Sequence, residues 1–432
     1  MMRTNRCSAA ALGFLLAAAA CQNDEVNRPA SFIAVDPLFD RYVSMGNSIT
    51  AGFQSGGIND STQVQSYAVL LAQAMHSPSF LPLLSRPGCP PPYTNVFTQT
   101  RVPSPPGYPT SSGSTCFLRR INTTTPAPYI SNTAVPGAEV IDIYNNLDAT
   151  SNANSLTQFI LGGLTQVGMM RKAQPTFVSV WIGNNDVLGA ATNLANAGDS
   201  TRITPVATFQ ANYDAVVDSI DEVNPAGAVL VGVANVTRIP FFSRGTTYFA
   251  IKAGLVPGAA FPPNFVVAAN CAPPRGDSVL VPFPFGLPKI DSALGNPAGT
   301  YTLDCNVPQV VVPVELVRLV TAVSSYNAAI SAAATAHGWA YFDPNPVFDS
   351  IALAGAIPPF PFARNAAGQI NPCAGTPART TPPPPLPATP PPFGLIFSCD
   401  GVHPSALTHR LIAQHLRNVI NTAYSTAIPP IP

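Results

Sequence analysis

The sequence predicts an α/β fold of three layers, with helices on both faces of a mainly parallel central sheet. Three observations lead there. Short apolar runs closed by glycine, such as those ending at Gly46 and Gly183, alternate with longer stretches whose apolar residues recur at helical spacing. The run Phe177-Val178-Ser179-Val180-Trp181-Ile182 reads as a buried strand, as parallel sheets covered on both faces require. The 49 prolines are clumped rather than spread, which marks long, stiff insertions in an otherwise compact core.

Taken in order, Arg3 and Arg6 precede an apolar run, 9–20, too short to span a bilayer, the form of an export signal. Ala17 to Ala20 stand directly before Cys21. This resembles a bacterial lipoprotein signal, although Ala18 occupies the usual leucine position. The resemblance makes 1–20 a signal peptide and Cys21 the lipidated first residue of the mature chain. Secretion with cleavage near the same place is the alternative. Residues 21–39 read as a tether and 40–425 as a single domain, with insertions near 77–128, 237–308 and 344–398.

Within that domain, a strand from Tyr42 to Gly46 leads into Ser48 and a Gly/Asn/Asp/Ser-rich loop at 55–62. Tyr67, Val69, Leu70 and Ala74 are spaced for the buried side of a helix over 66–75. After the first insertion, 129–135 is expected as a strand running into Pro136-Gly137-Ala138, and 149–172 as a helix. The strand 177–182, a helix near 205–223 and a strand over 228–236 continue the alternation. The second insertion follows, then a long helix over 314–336, a last short strand at 339–342 and the third insertion. Ser405 is placed to cap an amphipathic closing helix, 405–423. No segment after the leader has the length and polarity of a transmembrane helix.

Charged residues are only 10% of the chain, and Lys+Arg and Asp+Glu both number 21. No basic stripe exists, so nucleic-acid binding is not expected. Of the eight cysteines, six remain once Cys7 and Cys21 are set aside: Cys89, Cys116, Cys271, Cys305, Cys373 and Cys399. None forms a C-x-x-C pair and histidine is scarce nearby, so no metal site is expected. An even number in an exported chain favours disulfides. The nearest-neighbour pairs 89–116, 271–305 and 373–399 are preferred because each brackets one proline-rich region. Each such closure would remove on the order of 3–4 kcal/mol of unfolded-state freedom.

Ser48 falls at the carboxyl end of a strand, the edge of an α/β sheet where active sites form. An alcohol is a poor nucleophile until a base takes its proton. Cys399-Asp400-Gly401-Val402-His403-Pro404, just before the last helix, offers His403 as that base and Asp400 to hold the other ring nitrogen. Taken alone, the segment reads more simply as an Asp-Gly turn with an exposed histidine. The amides of Ser48 and Gly137 and the side chain of Asn185 could donate to an oxyanion. Gly137 could equally be a plain turn, and Asn185 a loop cap. His76 and His337 end helices, His409 and His415 are expected at the surface, Asp343 is a weaker rival to Asp400, and Asp186 is expected to brace its own loop.

Gly46-Asn47-Ser48, Asn132 to Gly137, Gly183-Asn184-Asn185-Asp186 and Asp400-Gly401-Val402-His403-Pro404 stand in the order and context of the SGNH, or GDSL, hydrolase family, which the chain resembles. The resemblance implies the flavodoxin-like fold of that family and ester hydrolysis without a cofactor. It implies Ser48 as nucleophile, His403 as base, Asp400 as its partner, and Ser48, Gly137 and Asn185 as the oxyanion hole. Asn47 replaces the family's aspartate. No G-x-S-x-G elbow is present, since Thr50 stands two residues beyond Ser48. The expected substrate is a small-molecule or lipid ester; the Phe/Pro clusters of the insertions are candidate apolar cleft walls, although they read somewhat more simply as small satellite cores packed against the main one. A ligand-binding surface lipoprotein without turnover is the alternative.

Overall fold

The computed structural model describes residues 34–104, 128–145, 155–357 and 391–432. Four strands, β1 (Tyr42–Gly46), β2 (Phe177–Trp181), β3 (Gly227–Val231) and β4 (Ala340–Phe342), form a parallel sheet in that order. Eight helices bear on the site or the core: α1 (Ser48–Ala51), α2 (Tyr67–Met75), α3 (Gln166–Ala173), α4 (Asn185–Ala191), α5 (Val206–Asp221), α6 (Pro313–Ala336), α7 (Asn345–Leu353) and α8 (Ala406–Tyr424).

Side-chain alternation along the strands builds two cores. Val43, Met45, Val178, Val180, Ala228 and Leu230 face α3, α5 and α6, meeting Met170, Phe209, Val216, Leu319 and Tyr326. Tyr42, Phe177, Trp181, Val229 and Val231 face the other way, onto Tyr67 and Leu71 of α2 and Ile412 and Leu416 of α8. Both faces are therefore covered, which is why these strands read as continuous apolar runs. The predicted α/β fold with a parallel sheet is the observed one.

Local corrections have physical reasons. Residues 129–135 run parallel to β1, with Ser44 N–H donating to Ser131 O at 2.8 Å and Thr133 N–H donating to Ser44 O at 2.9 Å, but they reduce to a single bridge at Asn132. Asn132 Oδ1 takes the Ala134 N–H and Nδ2 donates to Thr50 O, so a side chain competes with the ladder. Counting this segment as second in chain order, the sheet reads 2-1-3-4-5, with its reversal at β1. The helix expected over 149–172 is broken after Leu161 by Gly162-Gly163, and Thr165 caps a fresh start at α3. The strand expected to reach Val236 stops at Val231, because Asn327 takes over the backbone of Val233 through both amide atoms.

The described parts of the second and third insertions contain regular structure. The second contains the helices Gly245–Lys252 and Phe283–Gly295, two short strand pairs and the expected Cys271–Cys305 disulfide, packed around Tyr248, Phe265, Leu287 and Leu303. The third opens with α7, whose prolines sit at its start, where a missing N–H costs nothing. Cys89 and Cys399 are also disulfide-bonded. Their expected partners, Cys116 and Cys373, lie outside the described residues, as do the signal peptide, Cys21, most of the tether and all but the last two residues of the proline runs of the third insertion.

Candidate active site

Steric limits at the end of β1 set the geometry. A Cβ on Gly46 would stand 2.4 Å from both the Trp181 carbonyl oxygen and Thr50 Oγ1. Gln166, from α3, grips the same residue: Oε1 accepts the Gly46 N–H and Nε2 donates to its carbonyl, each at 2.9 Å. Asn47 Oδ1 then caps α1 by accepting the Ile49 N–H at 3.1 Å. Strand becomes helix at Ser48, which is largely buried, beside the point where strand order reverses.

His403 and Asp400 come from a loop closed on itself ahead of α8, with Ser398 N–H donating to His403 O at 2.8 Å and Ser405 N–H to Ile396 O at 2.9 Å. His403 Nε2 lies 2.9 Å from Ser48 Oγ, and Nδ1 lies 2.8 Å from Asp400 Oδ2. Asp400 Oδ1 accepts the Val402 and His403 N–H groups, both at 2.9 Å, and Oδ2 accepts the Gly56 N–H at 2.6 Å. Burial raises the proton affinity of this carboxyl, but adjacent His403 and the N–H donors outweigh it and hold the pKa at about 2. An ionised Asp400 accepts a hydrogen bond from His403 Nδ1–H, which leaves Nε2 as the acceptor facing the serine hydroxyl.

Gly137 has φ +86°, a conformation that favours glycine. Among the described residues neither its N–H nor that of Ser48 donates to a protein acceptor. Asn185, the first residue of α4, lines the same cleft as Ser48 and His403 and donates one Nδ2 proton to Ala138 O at 2.8 Å. The cleft walls are apolar, including Ile49, Leu188, Val236, Ile239, Phe348 and Phe397. Several polar groups in those walls are already engaged: Asn345 Nδ2 bonds Val233 O, Asn235 Oδ1 takes the Thr237 N–H, and Arg238 pairs with Asp349, whereas the buried Asn184 Oδ1 makes no hydrogen bond. Among the described residues no cluster of His, Cys, Asp or Glu is arranged to hold a metal ion.

The structure thus brings together Ser48, His403, Asp400 and Asn185, and sets Gly137 in the turn that Asn185 holds through Ala138. Asp343 does not compete with Asp400, since its Oδ1 caps Asn345. His409 corrects the expectation of a surface histidine: it is fully buried, accepts the Tyr67 N–H on Nδ1 at 3.2 Å, and burial lowers its pKa to about 3. Asp186 also departs from expectation, reaching outside its own loop to the N–H of Val140. Sequence reasoning missed Gln166, Ser55 and Ser398. The last two exchange bonds, Ser55 N–H to Ser398 Oγ at 2.8 Å and Cys399 N–H to Ser55 Oγ at 3.1 Å, tying the histidine loop to the serine loop. Phe53, whose ring centroid lies 4.8 Å from that of His403, was missed as well.

Among solved structures, the chain is similar to an acetylxylan esterase mutant from Geobacillus stearothermophilus, with 11% identity, 88% of this chain and 94% of that one covered, and a TM-score of 0.35. It is also similar to an extracellular lipase from Streptomyces rimosus, with 16% identity, 89% and 99% coverage, and a TM-score of 0.35. A comparison with curated proteins finds no match. The family model for GDSL-like lipase/acylhydrolases matches residues 42–416. That span takes in every strand of the central sheet and all five proposed site residues, so the chain belongs to the GDSL-like lipase/acylhydrolase family and is a carboxylic ester hydrolase.

Proposed function

We propose that the chain hydrolyses esters through Ser48, with His403 as general base and Asp400 as its partner. The unbroken chain of contacts from Ser48 Oγ through the His403 ring to Asp400, at 2.9 and 2.8 Å and facing an apolar cleft, carries this reading. His403 takes the serine proton as Oγ attacks the ester carbonyl. Charge on the tetrahedral oxygen falls to the N–H groups of Ser48 and Gly137 and the second Nδ2 proton of Asn185. His403 returns the proton to the leaving alcohol, and water, activated in the same way, then releases the acid from Ser48.

The walls support an uncharged acyl or aromatic ester better than a sugar ester. A sugar would need several hydrogen-bonding partners, and most polar wall groups are already engaged, Asn184 Oδ1 being an exception. Export is supported by the leader and by the Cys271–Cys305 disulfide, a bond that persists in oxidising compartments. Ala17 to Cys21 supports a lipid anchor. No helix among the described residues is long and apolar enough to cross a membrane.

Purified protein should turn over p-nitrophenyl acetate and butyrate, and Ser48→Ala should lose about 10⁴-fold or more in kcat. A fluorophosphonate probe should label Ser48. Equal rates for wild type and Ser48→Ala would remove the esterase reading and leave the alternative, a binding lipoprotein on the same fold.

A further inference from the structure

Asp186 takes no part in the Ser48–His403–Asp400 chain, yet the residue is only 1% exposed. It follows Asn185 in the first turn of α4, and its Oδ2 accepts the Val140 N–H at 3.0 Å. Asn185 Nδ2 reaches the same turn two residues earlier, on the Ala138 carbonyl. Two adjacent side chains therefore hold residues 138 and 140, and the free N–H of Gly137 stands immediately before the held segment. Within the turn itself, Ala138 N–H donates to Val135 O at 3.2 Å and Glu139 N–H to Asp142 Oδ2 at 2.8 Å. Neither of those bonds connects the turn to α4.

We propose that Asp186 is a positioning residue for the oxyanion hole, clamping the Gly137 turn to the helix that carries Asn185, and that this clamp loosens as the carboxyl ionises. The proposal rests on the ester-hydrolysis reading above. Oδ1 of Asp186 makes no hydrogen bond, and the Val140 N–H and the Thr204 side chain favour the ionised carboxyl without offsetting its burial. The titratable groups facing the carboxyl are Glu139 and Asp142 from the clamped turn and Tyr326 from α6. Among the described residues no Lys, Arg or His pairs with it. Burial first, and the neighbouring Glu139 second, push its pKa up to about 7. Because the folded-state value exceeds the ordinary 3.8, the neutral form favours the closed turn; that contribution is fully present below about 3.8 and is lost as pH rises from there through about 7. Above that pH a buried, unpaired charge sits beside two others of like sign, and opening the turn relieves it.

The test is steady-state kinetics of wild type, Asp186→Ala and Asp186→Asn on p-nitrophenyl butyrate from about pH 5 to 9, with fluorophosphonate labelling to count active sites. At low pH, Asp186→Ala should lose about 10- to 100-fold in kcat with KM within about threefold, since an oxyanion donor acts in the transition state. Asp186→Asn, whose amide oxygen can still accept the Val140 N–H, should recover most of that loss and lack the wild-type decline in kcat as pH rises toward and through about 7. An active, labelled wild type with unchanged kcat in Asp186→Ala overturns the proposal alone, as does an alkaline decline in Asp186→Asn equal to that of wild type. If Asp186→Ala does not fold, the Asp186→Asn profile decides. A wild type with neither turnover nor labelling overturns the ester-hydrolysis reading and the proposal with it.

Discussion

The two halves of the Ser48–His403 contact are held by different physics. Ser48 rides on the end of a buried parallel strand, where ladder hydrogen bonds, the Gly46–Trp181 close approach and the Gln166 grip leave the backbone one course. His403 rides on a loop outside the sheet. That loop is attached by side-chain bonds to Ser55 and Gly56, by Phe241 N–H donating to Gly401 O at 2.9 Å, and by Phe393 packed under Gly401. The nucleophile's place is thus part of the fold's core, whereas the base's place depends on a few polar contacts, the Phe393 packing and the disulfide at Cys399. Damage to the first should appear as lost stability, and damage to the second as lost turnover in a folded protein.

The sharpest way to break this contrast is at Gln166, which is fully buried. Gln166→Leu removes the only acceptor of the Gly46 N–H among the described residues, while the Gly46 carbonyl keeps the Val135 N–H at 3.2 Å. An unsatisfied buried N–H and a lost second bond should cost about 2–3 kcal/mol in urea unfolding. Below the transition, kcat per fluorophosphonate-labelled site should stay within about threefold of wild type. A large kcat defect in a variant of unchanged stability would show that the strand end is as loosely set as the histidine loop.

On the other side, Ser55→Ala and Ser398→Ala each cut the exchange that ties the two loops. Ser398 Oγ also lies 3.2 Å from Asp400 Oδ1, so its loss reaches the carboxylate directly. Each single variant should lose about tenfold in kcat, roughly 1.4 kcal/mol of barrier, with urea midpoints close to wild type. The double variant should lose little more than either single one, because both remove the same link. Additive losses would mean that the serines act separately and that the loop has no common tether.

What could be read beforehand follows the same division. Ser48, Gly137, Asn185, Asp400 and His403 were legible because each lies at or beside a glycine-marked break, a local signal. Gln166, Ser55 and Ser398 were not, because their partners stand 120 to 344 residues away and no local period marks such a pair. Helix α7 was hidden by Pro344 and Pro346, read as insertion although proline suits a helix start. For His409 the signal was present and misweighed. It lies three residues before Ile412 and four before Ala413, on the buried stripe that continues to Leu416 and Ile420. Polarity of the residue type outweighed the period.

That histidine provides the mildest test, because it joins the two halves behind the site. His409 sits on α8, just past the His403 loop, and its Nδ1 holds the first N–H of α2, the helix that follows the serine loop. Burial lowers its pKa from 6.5 to about 3, with nearby His403 adding to the effect. The folded chain therefore binds fewer protons than the unfolded chain between those values, so stability is fully present above about pH 6.5 and falls as pH drops toward about 3. In His409→Asn the amide oxygen can replace Nδ1 as acceptor and cannot titrate. At pH 7 the variant should unfold in urea within about 1 kcal/mol of wild type, while its acid-side loss of stability should be visibly shallower. Parallel acid profiles for the two proteins would place the acid sensitivity in other groups, and would mean that the join between the halves does not depend on a neutral imidazole.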